Sequence, residues 1–501
     1  MRQPISFVYG NCLLGSSGPW AVFALTPCSY ATLTTERKQE VFGRVLAALE
    51  AVEADLQLIR VTRAWDVTAY ADELERAYAG PHAEAHARYV AEHRAGLGEV
   101  GRALAAVYLA VSLEDPERDV GAYVSGALER SPRELLDTLR EALAWQDRRL
   151  LAASELERLR VRADEAHARI CAFIEARPAR TVEIQWLVRR AFCRGRGEPV
   201  VDGLHAPQAL VFERNGQAVL APLEADVLRW LDGYVENRGR SLCVESELGT
   251  SWQAQLVAGA LPERAEFPGA RLELMFGPPE SLPYGVDLTL NARYLPNDLA
   301  LRLVRRRVQD ADQIIRAEAD GDQGVSDRGY DRTQDARDLL AYLQSASRPP
   351  LLRATLAIAV AASGEAELER RVERCRRAYG EVRLHRPVGD QLELFLQHLP
   401  GQRTRIRGYD DVLTAEQVAA MLPLGTHAVG SGQGFYLGHT LSGSRQPVRF
   451  NLREGSDTDR NAAILSLGAL GSGKTTLDQK LLYEGYLLGA RIIDCDPKGD
   501  H

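Results

Sequence analysis

Two hydrophobic rhythms alternate along the first hundred residues. Over 7–25, aromatic and β-branched residues flank Gly15-Ser16-Ser17-Gly18, which predicts two strands joined by a tight turn. Thr34 or Thr35 then caps a helix with Glu36 in its first turn, and Val41, Val45, Leu46, Leu49 and Val52 fall along one side of it. Residues 56–61 alternate as a strand with one face in water, 82–97 form a polar, Ala-rich helix, and 104–113 supply another strand. This alternation predicts a small α+β domain over 1–115.

From 131 to 174 the pattern becomes nearly continuous helix, opened by the capping box Ser131-Pro132-Arg133-Glu134. With a further amphipathic helix at 181–192 carrying Trp186 and Leu187, it forms a helical spacer over 116–204, and the turn-rich 193–204 is the linker candidate. A second α/β region, 205–400, begins with a hairpin at 208–221 around Asn215-Gly216. Strand signals follow at 272–276 and 286–294, then a helical stretch over 297–342 interrupted at 320–327. A strand at 352–361, a helix at 365–379 and a strand at 382–386 complete the region.

Composition narrows the class. A chain of 501 residues, 45% hydrophobic and 26% charged, has room for two to four domains with real cores. A net charge of −8 argues against a surface coated for nucleic acid, although a local groove can still be positive. No segment approaches the roughly eighteen apolar residues of a membrane span, and residues 1–6 lack a secretory pattern. Seven cysteines without a C-x-x-C pair fit a reduced, cytoplasmic chain in which most thiols are small buried hydrophobes. Two arginine clusters, Arg302, Arg305, Arg306 and Arg307, then Arg370, Arg371, Arg374, Arg376 and Arg377, read as solvated helix faces. Asp310, Asp312, Glu367, Glu369 and Glu373 lie at pairing distance along the same helices.

The most specific chemistry lies near the end. Gly468-Ala469-Leu470-Gly471-Ser472-Gly473-Lys474-Thr475 matches G-x-x-x-x-G-K-[ST], in which bare glycine backbone lets several N–H groups converge on a phosphate chain. The flanks predict a buried parallel strand at 462–467, a helix at 476–488 stopped by Gly489, and a second buried strand at 490–496. A dinucleotide-binding loop is the weaker reading, because G-x-G-x-x-G is not present. The candidate nucleotide site is Gly468, Gly471, Ser472, Gly473, Lys474, Thr475 and Thr476, and resemblance to known P-loops implies Lys474 on the β- and γ-phosphates of ATP and Thr475 on Mg²⁺.

Ahead of this loop stand Leu399-Pro400-Gly401, Tyr409, the capped helix Thr414-Ala415-Glu416-Gln417 leading to Met421-Leu422-Pro423-Leu424, and Gly430. Gly434-Phe435-Tyr436-Leu437-Gly438 and Pro447-Val448-Arg449-Phe450-Asn451 follow. With Asn461 and Asp496-Pro497-Lys498-Gly499-Asp500, the chain from 399 onward resembles the conjugation ATPases of type IV secretion systems, the TraC-like members of the HerA/FtsK group of P-loop ATPases. The likeness extends more loosely to 7–113 and to the helix after Pro296-Asn297, and the Ala- and Arg-rich composition is similar to actinobacterial members.

This resemblance implies an α/β fold: an α+β N-terminal region with long helices, followed over 401–501 by the start of a RecA-like P-loop ATPase domain. It implies a hexameric, ATP-hydrolysing motor in the cytoplasm, peripheral at the inner face of the membrane, with other channel components as partners and DNA contact as a further implication. Among catalytic residues it implies Lys474, with Asp496 and Asp500 orienting the attacking water; a turn-forming Asp pair is the plainer reading of those two. The family continues with a Walker B acid and an arginine finger beyond the position of His501, so the expectation is a fragment or a natural truncation with little turnover. In that case Ile464, Leu465, Ile492 and Ile493 are partly exposed. A scaffold with a vestigial site and a HerA/FtsK-type DNA translocase are the alternatives.

Overall fold

A computed structural model describes residues 4–78, 82–98, 103–114, 151–201, 207–214, 217–231, 233–261, 267–269, 272–319, 327–380, 382–452, 454, 463–469, 471–487, 489–493 and 495. The chain is an α+β protein. Its contacts define two units, one of Met1–Pro27, Leu33–Val61 and Ala105–Gly425, the other of Cys28–Thr32, Thr62–Leu104 and Thr426–His501.

The first unit is organised on one large sheet, with strand order Phe7–Tyr9, Cys12–Gly15, Gly18–Leu25, Ala103–Ser112, Leu56–Ala64, Asp287–Leu295, Leu351–Ala362, Gly249–Ala258, Leu242–Ser246 and Tyr234–Asn237. Ala176–Pro178, Leu384–His385 and Asp411–Thr414 add short strands beside it. Strands read from 1–115 and from 205–400 therefore share a sheet, joined where Leu288 faces Arg60 and Ala292 faces Leu56 in antiparallel register. Leu351–Ala362 is antiparallel to both of its long neighbours, and eleven of its twelve residues are buried, as its almost unbroken apolar sequence requires. The helix Thr35–Val52 packs beside Ala415–Ala420, and Glu365–Ala378 lies against Leu351–Ala362. Leu295 and Leu351 form a further core with Ala300 and Val304 of the helix Asn297–Ala319 and Leu343 of Asp327–Leu343.

The predicted wet face of 56–61 is not wet, since all six residues are buried. Gln57 donates from Nε2 to the carbonyls of Gln397 (3.0 Å) and Leu399 (2.9 Å), and its Oε1 accepts from Gly401 N (2.8 Å). Arg60 donates to the carbonyls of Pro423 and Gly425, both at 2.8 Å, and pairs with Glu280. A buried polar group costs little once its hydrogen bonds are made, so these side chains act as tethers within the unit.

Other elements also depart from expectation. The hairpin at 7–25 has three strands rather than two. Residues 272–276, expected as a strand, form turns in which Met275 N donates to Met421 O, and the apolar side chains that suggested a strand are buried there. The nearly continuous helix expected over 131–174 gives way at Leu151–Ala152, which pairs with Gln217–Pro222 before the helix Ala153–Cys171 begins. Strands Tyr234–Asn237, Leu242–Ser246 and Gly249–Ala258 form where none was expected. Arg194, in the linker candidate, is buried with Arg190 against Asp287, at 2.7 Å and 3.3 Å. Burial raises the Asp287 pKa, but the two guanidiniums outweigh it and hold the carboxyl below its ordinary value.

Ser131-Pro132-Arg133-Glu134, Asn215-Gly216 and 320–326 lie outside the described residues. Within the arginine-rich helices Arg302 pairs with Asp298, Arg370 and Arg371 with Glu367, and Arg376 with Glu373, whereas Asp312 pairs with Arg337 and Glu369 with Arg386. Arg371 goes further, donating to Ala361 O and lying 4.9 Å from the Tyr284 ring centroid.

The second unit holds the helices Val67–Ala77, Ala83–Gly98 and Lys474–Leu487 and the antiparallel pair Phe435–His439 and Pro447–Phe450. Its core gathers Tyr70, Ala71, Leu74, Val90 and Phe435, with Leu481 packed against it. Tyr70 Oη accepts from Tyr436 N at 2.9 Å, and Arg449 reaches Glu73 at 2.5 Å while its guanidinium lies 5.2 Å from the Tyr70 ring centroid.

Candidate functional site

The glycine-rich loop lies in the second unit. Gly471 and Gly473 have φ of +74° and +86°, a backbone that residues with a Cβ rarely adopt. Such left-handed steps turn successive N–H groups toward one concave side. At Gly468 a Cβ would collide with Ser472 Oγ, so a side chain there would force the Ser472 hydroxyl to turn away. Ser472 N donates to Ala469 O at 3.2 Å and tightens the turn.

The helix begins at Lys474, with Leu477 N donating to Gly473 O at 3.0 Å. Lys474 folds back over the loop, its Nζ donating to the carbonyls of Gly468 (2.7 Å) and Ala469 (2.8 Å). Thr475 and Thr476 are exposed in the first turn. Bare backbone, an ammonium and a helix N-terminus thus come together, an arrangement able to receive an anion. The loop's upstream arm is tied to the helix by Ser466 Oγ, which donates to Asp478 Oδ1 at 2.6 Å. Gly489, at φ +83°, stops the helix as predicted.

The expected flanking strands are not formed. Residues 463–469 and 490–493 carry no strand pairing, and Ile464, Leu465, Leu467 and Ile493 are 52%, 79%, 82% and 78% exposed. A parallel strand needs paired neighbours and covered faces, and the described residues supply neither here. Asp496 and Asp500 lie outside the described residues.

Sequence reasoning missed Glu484, on the same helix. It is buried, with Lys480 Nζ 3.5 Å away, and burial lifts its carboxyl to about 8. His93, which contacts Tyr70 Oη at 3.1 Å, is pushed down to about 4, first by burial and then by Lys480. A charged residue every few positions along a helix usually signals a solvated face, and only the packing of Ala83–Gly98 and the hairpin around Tyr70 distinguishes this one.

No protein-family model matches the chain, and comparison with curated proteins likewise gives no match. Among the described residues no helix is long and apolar enough to cross a membrane.

Proposed function

We propose that the loop at 468–475 binds the phosphate chain of ATP, and that the chain is the nucleotide-binding component of a conjugative or type IV secretion apparatus, with 401–501 as the start of a RecA-like domain. The observation that carries the nucleotide reading is the pair of left-handed glycines, Gly471 and Gly473, leading directly into the helix at Lys474. In this reading Lys474 exchanges its two carbonyl contacts for phosphate oxygens, and the backbone of Gly468, Gly471, Ser472 and Gly473 supplies the cradle. On the resemblance to P-loops, Thr475 and the nucleotide's own phosphates would hold Mg²⁺. Bound magnesium would neutralise phosphate charge, and Asp496 and Asp500 are proposed to orient water. Other secretion-channel components, a homohexamer and an inner-membrane location are proposed on the sequence resemblance alone.

The test is titration of the 501-residue chain with a fluorescent ATP analogue in the presence and absence of Mg²⁺. Lys474→Ala should weaken binding by at least tenfold, because it removes a charge-assisted contact worth roughly 1.5–3 kcal/mol. Equal affinity in the variant would place the nucleotide elsewhere or nowhere.

A further inference from the structure

We propose that a second anion site, separate from the glycine-rich loop, lies in a cleft of the first unit and takes a small oligophosphate. The cleft has a volume of about 610 Å³, within the range of small-molecule sites, and Arg293, Arg353, Arg403 and Arg407 all line it. Arg293 and Arg353 come from adjacent strands and face each other directly in the antiparallel register. Like charges in that position repel, and nothing about the sheet requires them. Arg403 and Arg407 arrive from the segment between the helix Gln391–Gln397 and the strand Asp411–Thr414.

The lining holds four guanidiniums and two carboxylates, Asp55 and Asp410. Asp410 pairs with Arg353. Asp55 is divided, its Oδ1 accepting from Tyr294 N at 2.9 Å while its Oδ2 lies 3.3 Å from Arg403. Arg403 also meets Glu114 at 2.8 Å. Arg407 is exposed and has no carboxylate within ion-pair distance among the described residues. Guanidinium forks fit phosphate oxygens two at a time, and several in one concave space favour a compact polyanion over a single carboxylate.

The experiment is calorimetric titration of the full chain carrying Lys474→Ala, so that binding at the glycine-rich loop is weakened at least tenfold, with tripolyphosphate, ATP and hexaglutamate as probes. The expected result is one tripolyphosphate per chain, affinity falling with added salt, and about a tenfold loss on Arg407→Glu. Arg293→Lys, which keeps the charge but not the fork, should give a smaller loss. Equal binding of ATP and tripolyphosphate would assign a free oligophosphate, and tighter ATP would assign a nucleotide. Absence of binding, binding indifferent to both arginine variants in chains with unchanged circular dichroism, or hexaglutamate binding as tightly as tripolyphosphate would overturn the proposal.

Discussion

Arg60 and Glu280, 220 positions apart in the chain, meet at 2.5 Å with their side chains only 3% and 4% exposed. One sits on a central strand and the other on the short helix Gly277–Ser281. Removing either alone strands a buried charge, and the expected cost is about 3–5 kcal/mol. Replacing both, as Arg60→Met with Glu280→Leu, should recover only part of the loss, because the carbonyls of Pro423 and Gly425 lose their donor as well. Urea unfolding of the single and double variants checks this, and strictly additive losses would contradict it.

Glu183 makes a fork with Arg177, at 2.6 Å and 2.7 Å, and accepts from Arg180 N at 2.9 Å. Burial acts to raise its pKa, but these partners outweigh that and hold it at about 2 against an ordinary 4.5. A depressed carboxyl contributes stability that is present above 4.5 and lost as pH falls toward 2. Glu183→Gln should therefore lower the melting temperature at neutral pH and flatten its acid dependence between about 4.5 and 2. An unchanged acid slope in the variant would count against the fork.

Glu484 has the opposite sign. Its carboxyl, lifted by burial to about 8 from 4.5, keeps its proton when folded over a range in which the unfolded chain has lost it. Stability of the second unit should fall as pH rises through that window, and Glu484→Gln should remove the decline. Amide exchange of Lys474–Leu487 at pH 5 and pH 8 gives the measurement, and identical pH dependence in both proteins would refute it.

Thr414 and Gln417 form a reciprocal cap, Gln417 N donating to Thr414 Oγ1 at 3.2 Å and Thr414 N to Gln417 Oε1 at 2.8 Å. Thr414→Ala should cost about 1 kcal/mol, and Thr414→Ser much less. Denaturant midpoints decide it, and equal losses in the two variants would mean that the hydroxyl is not what matters.

What could be read from sequence was local. The cap at Thr414, the helix from Thr35 to Val52 and the glycine stop at Gly489 each depend on a few neighbouring residues, and each appears in the structure. The wet face expected of 56–61 is missing because Gln57 and Arg60 find carbonyls supplied by residues beyond 396, which no short window shows. Gln253 and Gln255 concealed a buried strand for the same reason, since the first bonds Ala191 O and the second is held through its backbone by Gln391. Residues 272–276 misled in the other direction, because an apolar run shows burial without showing its backbone. The glycine-rich loop was legible as a motif, whereas its flanks depend on pairing that no short window records. The arginine cleft draws on five separate stretches of chain and gave no signal.

The sheet order also governs the sequence of events by which this chain is made. Leu56–Ala64 has Ala103–Ser112 on one side, but its other neighbour is Asp287–Leu295. During synthesis from the N-terminus, an early strand with an apolar face must wait for a partner much further along the message. Such distant closure slows folding and leaves an unpaired edge open to wrong partners in the interval. Assembly of the first unit cannot proceed strand by strand in the order of translation, and translation speed between those two strands sets how long the edge stays open.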